Sequence, residues 1–139
     1  MRYLIDSNLI IDVFQRKLSN SIESLENILA DDSSEIFYNG LVYTEVLRTM
    51  LDEEQFMLLK NAFGFFTWID ISQNIYKETK KFSRYCRSKG LKVAKGKCEL
   101  IDMIHFVTAK ENNLILLSRD GDMDKLEKCY TEFKMQNVF

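Results

Sequence analysis

Short unbroken apolar runs alternate along this chain with longer stretches in which apolar side chains recur at helical spacing. Residues 2–5 read as a short buried strand. From Leu9 to Lys17 the apolar positions are Leu9, Ile10, Val13 and Phe14, the spacing of one helix face. Ser21 to Ala30 repeats it with Ile22, Leu25, Ile28 and Leu29. Ile36 to Tyr38 is a second short strand ending at Asn39-Gly40, and Val42 to Met50 is helical. Asp52 caps a helix that runs to about Phe63. Thr67 to Ile71 is rich in strand formers. Ser72 caps a long helix that Gly90 stops, as glycine does at helix ends. Residues 91–97 read as a basic loop, and Cys98 to Glu111 as a helix ended by Asn112-Asn113. Leu114 to Leu117 is wholly apolar, as expected of a central parallel strand covered on both faces. A turn over Ser118–Gly121 leads to a short helix near Asp122, and an edge strand is expected within 128–139.

Alternating strands and helices predict an α/β fold, a three-layer sandwich with a central, mostly parallel sheet flanked by helices. Residues 1–139 fit a single domain. A hydrophobic content of 46% is enough for a real core. In such sheets ligands collect beyond the carboxyl ends of the strands. Asp6 follows Leu4-Ile5, and Asp120 follows Leu114–Leu117.

Charge sharpens this picture. The formal net charge is only -2, yet its distribution is uneven. Lys77, Lys80, Lys81, Arg84, Arg87, Lys89, Lys92, Lys95 and Lys97 crowd one segment in which Glu78 is the sole acid. Acids concentrate earlier, at Glu23, Glu26, Asp31, Asp32, Glu35 and Asp52 to Glu54. The cysteines, Cys86, Cys98 and Cys129, have no C-x-x-C spacing and read as buried thiols of a reducing compartment. No leader-like segment and no run of about 20 apolar residues stands out. The expected location is the cytoplasm, away from membranes.

Candidate chemistry rests on carboxylates. Asp6 ends a strand and precedes Ser7-Asn8; it faces a crevice while Ser7 or Asn8 caps the next helix, or else Asp6 or Asn8 is merely the cap. Glu45 lies near a helix start, where the dipole alone favours an acid. Asp102 stands out within Leu100-Ile101-Asp102-Met103-Ile104, because a carboxylate on an apolar helix needs a cation or a metal beside it. Glu99 and His105 lie three residues to either side and share its face; a first-turn acid and a packed histidine are their plainer readings. Asp122 suits a helix cap, and Asp120 is the better ligand candidate. An all-oxygen set suits Mg²⁺ or Mn²⁺. With one histidine and no suitable cysteine spacing, zinc is disfavoured. Phosphate-loop and dinucleotide fingerprints and a nucleophile elbow are missing too. Metal-assisted attack of water on a phosphodiester remains.

In order, these segments resemble the PIN-domain nucleases, and within them the VapC-type toxins of prokaryotic toxin–antitoxin pairs. Leu4-Ile5-Asp6-Ser7-Asn8 resembles the family's opening strand, and Thr44-Glu45-Val46 its (Ser/Thr)-Glu helix. Asp102-Met103-Ile104-His105-Phe106-Val107-Thr108-Ala109 is similar to D-x-x-I-A-A-T-A, and Leu116 to Met123 to L-(V/L)-T-(R/N)-D-x-D-F. His105-Phe106 and Met123 depart from those patterns. The resemblance implies an acidic quartet of Asp6, Glu45, Asp102 and Asp120 holding Mg²⁺ or Mn²⁺. It sets Asn8 and Ser118 beside the quartet and makes Asp122 a possible extra acid. It also implies endonucleolytic cleavage of structured RNA, a homodimer and a cognate antitoxin. Arg87, Lys92, Lys95 and Lys97 are the expected RNA track, with Tyr85 as a stacking candidate. Two alternatives stay open: a PIN-like module that binds RNA or a partner without cutting, and a housekeeping RNA-processing nuclease. A phosphoacceptor receiver domain is disfavoured, since Ser7 stands where its acidic pair would continue.

Overall fold

The computed structural model describes residues 1–90, 99–118 and 123–137. In chain order the elements are β1 (Arg2–Ile5), α1 (Ser7–Phe14), α2 (Ser19–Leu29), β2 (Glu35–Tyr38), α3 (Gly40–Arg48) and α4 (Glu53–Phe63). They continue with β3 (Thr67–Trp68), α5 (Gln73–Ser88), α6 (Glu99–Glu111), β4 (Ile115–Leu117) and α7 (Met123–Asn137). Among the described residues the sheet runs β3-β2-β1-β4. Every pairing is parallel, with Leu4 opposite both Phe37 and Leu116.

The period of two along each strand divides the core between the faces of the sheet. Ile5, Ile36 and Leu117 point into a layer with Leu9, Ile10, Leu25, Val42, Val46 and Leu59 from α1–α4. Leu4, Phe37 and Leu116 point the other way, toward Ala109 of α6 and the α5–α7 layer. Fully burying one such aliphatic side chain contributes about 1.5–3 kcal/mol. The result is the expected three-layer α/β sandwich, built around β1 at its centre.

Local signals set most boundaries. Asp52 Oδ1 accepts from the backbone N–H of Glu54 and Gln55 and so caps α4. Ser72 Oγ accepts from Ile75 N–H at the start of α5. Past its end, Gly90 takes φ +69, a left-handed value that glycine adopts without a Cβ clash. Asn113 does the same after α6, at φ 54.

Three expectations need correction. The all-apolar run Leu114–Leu117 is not a strand covered on both faces. Among the described residues β4 lies at the sheet edge, and Ile115 is 45% exposed; an unbroken apolar run measures hydrophobicity, not the number of covered faces. The tail forms α7, not an edge strand, because Leu126, Cys129, Tyr130 and Phe133 recur at helical spacing and bury one stripe. The strand-forming stretch Thr67–Ile71 yields only the two residues of β3. The basic loop 91–97 lies outside the described residues, as do Cys98 and the Ser118–Gly121 turn beyond Ser118.

Candidate active site

At one edge of the sheet three strands end on a polar residue: Asp6 after β1, Asn39 after β2 and Ser118 after β4. Ile5 pairs with Leu117, and Asp6 N–H donates to the Leu117 carbonyl at 3.1 Å. That pairing brings Ser118 to Asp6, 112 positions away in sequence, and Ser118 Oγ donates to Asp6 Oδ2 at 3.3 Å.

Asp6 is 4% exposed, and its side chain makes no capping bond to α1. Ser7 Oγ instead stands 3.3 Å from Asp6 Oδ1 and 3.0 Å from Glu45 Oε2, donating to this pair of acids. Glu45 arrives from α3, whose start is fixed by Asn39: its Oδ1 accepts from Val42 N–H at 3.0 Å. Val42 and Val46, one turn apart, are fully buried and turn that helix so that Glu45 is left half-buried beside Ser7. Among the described residues neither Asp6 nor Glu45 pairs with a lysine or arginine.

From the other side of the sheet, α6 contributes His105, 1% exposed. Its Nδ1 lies 3.1 Å from Asn39 Nδ2. Burial pushes the imidazole below its ordinary range, and the charges of Asp6 and Glu45 act in the opposite direction. Asp102, half-buried, lies one turn earlier on the same face of α6.

The structure thus joins Asp6, Ser7, Glu45 and Ser118 by hydrogen bonds, with His105 in the field of both acids. Asn8 is exposed on the first turn of α1 and stays outside this group. Asp120 and Asp122 lie outside the described residues, and so do Lys92, Lys95 and Lys97. The side chain of Glu99 is likewise not described. Among the described residues no three acidic, histidine or cysteine side chains gather closely enough to hold a metal ion. The donors that do gather are carboxylate and hydroxyl oxygens, the chemistry of a hard divalent cation. A carboxylate pair that meets no cationic side chain among the described residues fits such an ion.

Two residues acquire roles that the sequence does not assign. Ser7, which reads as a cap, bridges the two acids. Asp12 is a fully buried carboxylate whose Oδ1 accepts from Arg16 at 3.3 Å. Its signal is the one that marks Asp102, an acid set within an apolar helical run, Ile10-Ile11-Asp12-Val13-Phe14.

Arg87 is exposed on α5 and lines a groove of about 430 Å³ with Tyr76, Lys80, Arg84, Leu100 and Ile104. Leu100 and Ile104 each sit two residues from Asp102, about 200° around the helix. The groove and Asp102 therefore occupy opposite faces of α6.

The PIN domain family model matches residues 3–128. Among curated proteins none matches the sequence. Several solved structures share the fold. VapBC2 from Rickettsia felis, bound to a DNA fragment from its promoter, aligns with TM-score 0.70 at 16% identity, covering 90% of this chain and 92% of that one. A toxin–antitoxin complex from Klebsiella pneumoniae aligns with TM-score 0.61 at 24% identity, covering 85% and 86%. VapBC-1 from nontypeable Haemophilus influenzae aligns with TM-score 0.67 at 14% identity, covering 95% and 94%. With the family match spanning most of its length, this chain belongs to the PIN-domain family of nucleases.

Proposed function

We propose that the protein is a metal-dependent endoribonuclease that hydrolyses phosphodiester bonds in structured RNA, as the toxin of a toxin–antitoxin pair. The observation that carries this reading is the pair of acids, Asp6 and Glu45, bridged by Ser7 at the carboxyl edge of the sheet. Among the described residues no cationic side chain pairs with them. Asp6, Glu45, Asp102 and Asp120 would hold Mg²⁺ or Mn²⁺, with Asp122 as a further acid. Such an ion, once bound, lowers the pKa of water and neutralises charge on the phosphate. Ser7 and Ser118 orient both oxygens of Asp6 through their hydroxyls. Burial of Asp6 keeps bulk water from competing for those bonds.

RNA needs positive charge to approach four acids, and phosphate contacts supply most of the sequence-independent affinity. Arg87, Lys92, Lys95 and Lys97 form that track in this reading. Since Arg87 and Asp102 lie on opposite sides of α6, the backbone would round the N-terminal end of that helix.

The toxin assignment draws on the family and on structural neighbours that are themselves toxin–antitoxin complexes. It implies a cognate antitoxin, a homodimer and a cytoplasmic site of action. Among the described residues no helix is long and apolar enough to cross a membrane. The decisive test is incubation of purified protein with labelled structured RNA, with Mg²⁺ or Mn²⁺ and with chelator. Metal-dependent internal cleavage that Asp6→Asn abolishes is expected. Cleavage that persists in chelator, or in that variant, would exclude this mechanism.

A further inference from the structure

His105 is the chain's single histidine, and the reading above gives it no task. It stands where the helix pattern this segment resembles carries an isoleucine, so a polar ring there needs a local reason. Its environment is specific. Asn39 Oδ1 is committed to the backbone N–H of Val42, which fixes the orientation of the side-chain amide. The group that Asn39 presents to the ring is therefore its NH₂, a donor. His105 Nδ1 must accept, and in the neutral ring the proton sits on Nε2. Nε2 is buried and makes no hydrogen bond among the described residues. Asp6 and Glu45 both act on this ring.

The bond also links two layers. Asn39 begins α3, which packs with α1 and carries Glu45. His105 belongs to α6, which packs with α5 on the opposite face of the sheet and carries Asp102. We propose that His105 is a positioning residue for the acid pocket: Asn39 locks its imidazole as the Nε2–H tautomer, and the bond ties the helix bearing Glu45 to the helix bearing Asp102. The role rests on those acids forming the metal site proposed above.

Two measurements test it. Long-range ¹H–¹⁵N spectra of tag-free protein at neutral pH report one ring only. They should show Nδ1 unprotonated and Nε2 carrying the proton. Asn39→Ser keeps a helix cap but removes the amide donor, and should leave a mixture of tautomers. Mn²⁺ affinity, read by calorimetry, should fall about 10–100-fold in His105→Phe and Asn39→Ser, the usual cost of losing a group that orients metal ligands. His105→Gln, whose amide can both accept from Asn39 and donate beyond it, should restore affinity; a change in packing alone would not be rescued so. An Nδ1–H or doubly protonated ring in the wild type overturns the proposal. So does unchanged Mn²⁺ affinity in Asn39→Ser and His105→Phe, or a His105→Gln variant as weak as His105→Phe. Wild-type protein that binds no Mn²⁺ would remove the metal site itself and this role with it. Wild-type binding with indifferent variants would remove the role of His105 alone.

Discussion

The two layers of this molecule are built differently, and the candidate site lies on the seam between them. The α1–α4 layer is mainly aliphatic, with an aromatic flank of Tyr38, Tyr43, Phe63 and Trp68. It delivers Asp6, Ser7 and Glu45. The α5–α7 layer packs rings at its centre, with Phe82 stacked on Phe106 at 5.8 Å and edge-on to Tyr130 at 5.0 Å. Its rim is ionic: Lys134 of α7 contacts Glu78 of α5 and Glu111 of α6. This layer delivers Asp102 and His105. Damage to one layer's core should therefore lower stability, whereas damage to the seam should remove activity and leave the fold.

Asp102→Asn is the sharpest break at the seam. It preserves shape and removes charge, so cleavage should fall to the metal-free background while the circular dichroism spectrum and thermal midpoint stay near wild type. An active Asp102→Asn protein would take that residue out of the site. Phe82→Ala should do the reverse. Phe82 is fully buried and packs on three other rings. Its truncation should cost about 3–5 kcal/mol, measured by urea unfolding. Where that variant remains folded, its Mn²⁺ affinity should be close to wild type.

Metal should stabilise the folded chain by mass action. An ion at 100 times its dissociation constant adds about 2.7 kcal/mol. A thermal midpoint that rises with Mg²⁺ in the wild type and stays flat in Asp6→Asn would tie the effect to the seam. A wild-type midpoint indifferent to Mg²⁺ and Mn²⁺ would count against the site.

The α5–α7 layer should also respond to alkali. Burial, then its bond to Glu111, pushes the Tyr130 hydroxyl up to about 12. Lys134 is raised as well: its bonds to Glu78 and Glu111 outweigh the opposing, individually largest effect of burial. Both groups are raised above their unfolded values. Their stabilising contributions are thus complete below about pH 10 and are lost as pH climbs toward the folded values. The thermal midpoint should fall over that window, and Tyr130→Phe should flatten part of the fall. An alkaline limb of identical slope in that variant would show that Tyr130 plays no part.

Most of the frame is legible in the residues alone, because its signals are local. Asp52 and Ser72 announce caps, Gly90 a helix end, and Leu4-Ile5-Asp6 a strand that stops on an acid. The failures differ in kind. Hydrophobicity is the only signal in Leu114–Leu117, and it does not fix a strand's place in the sheet without knowledge of the neighbour. In the tail the helical spacing of Leu126, Cys129, Tyr130 and Phe133 is there to be read. The site divides in the same way. Asp6 and Glu45 are visible as acids in order, but the Ser7 bridge depends on how α3 turns. The Asn39–His105 bond joins residues 66 apart in sequence, and nothing local to either residue points to the other.

The smallest effect concerns the basic groove, where the comparison between the layers can be sharpened rather than broken. Lys80, Arg84 and Arg87 follow one another along a single face of α5 and share their groove with Leu100 and Ile104. Lys80 is not part of the RNA track expected from the sequence, yet it lines the same groove as Arg87. Helix α6 stands between this groove and Asp102, so an RNA backbone touching Arg87 can reach the acids only around the end of α6. Removing one basic side chain that neutralises a phosphate should flatten the dependence of log affinity on log salt by about 0.7–0.9. Arg87→Ala should therefore show one such step, with Mn²⁺ binding intact. Replacing Lys92, Lys95 and Lys97 together should show up to three, because these lysines precede the helix that the backbone must round. If the triple variant shows its steps and Arg87→Ala shows none, the track stays on the acid side of α6. The groove on α5 would then serve something other than RNA.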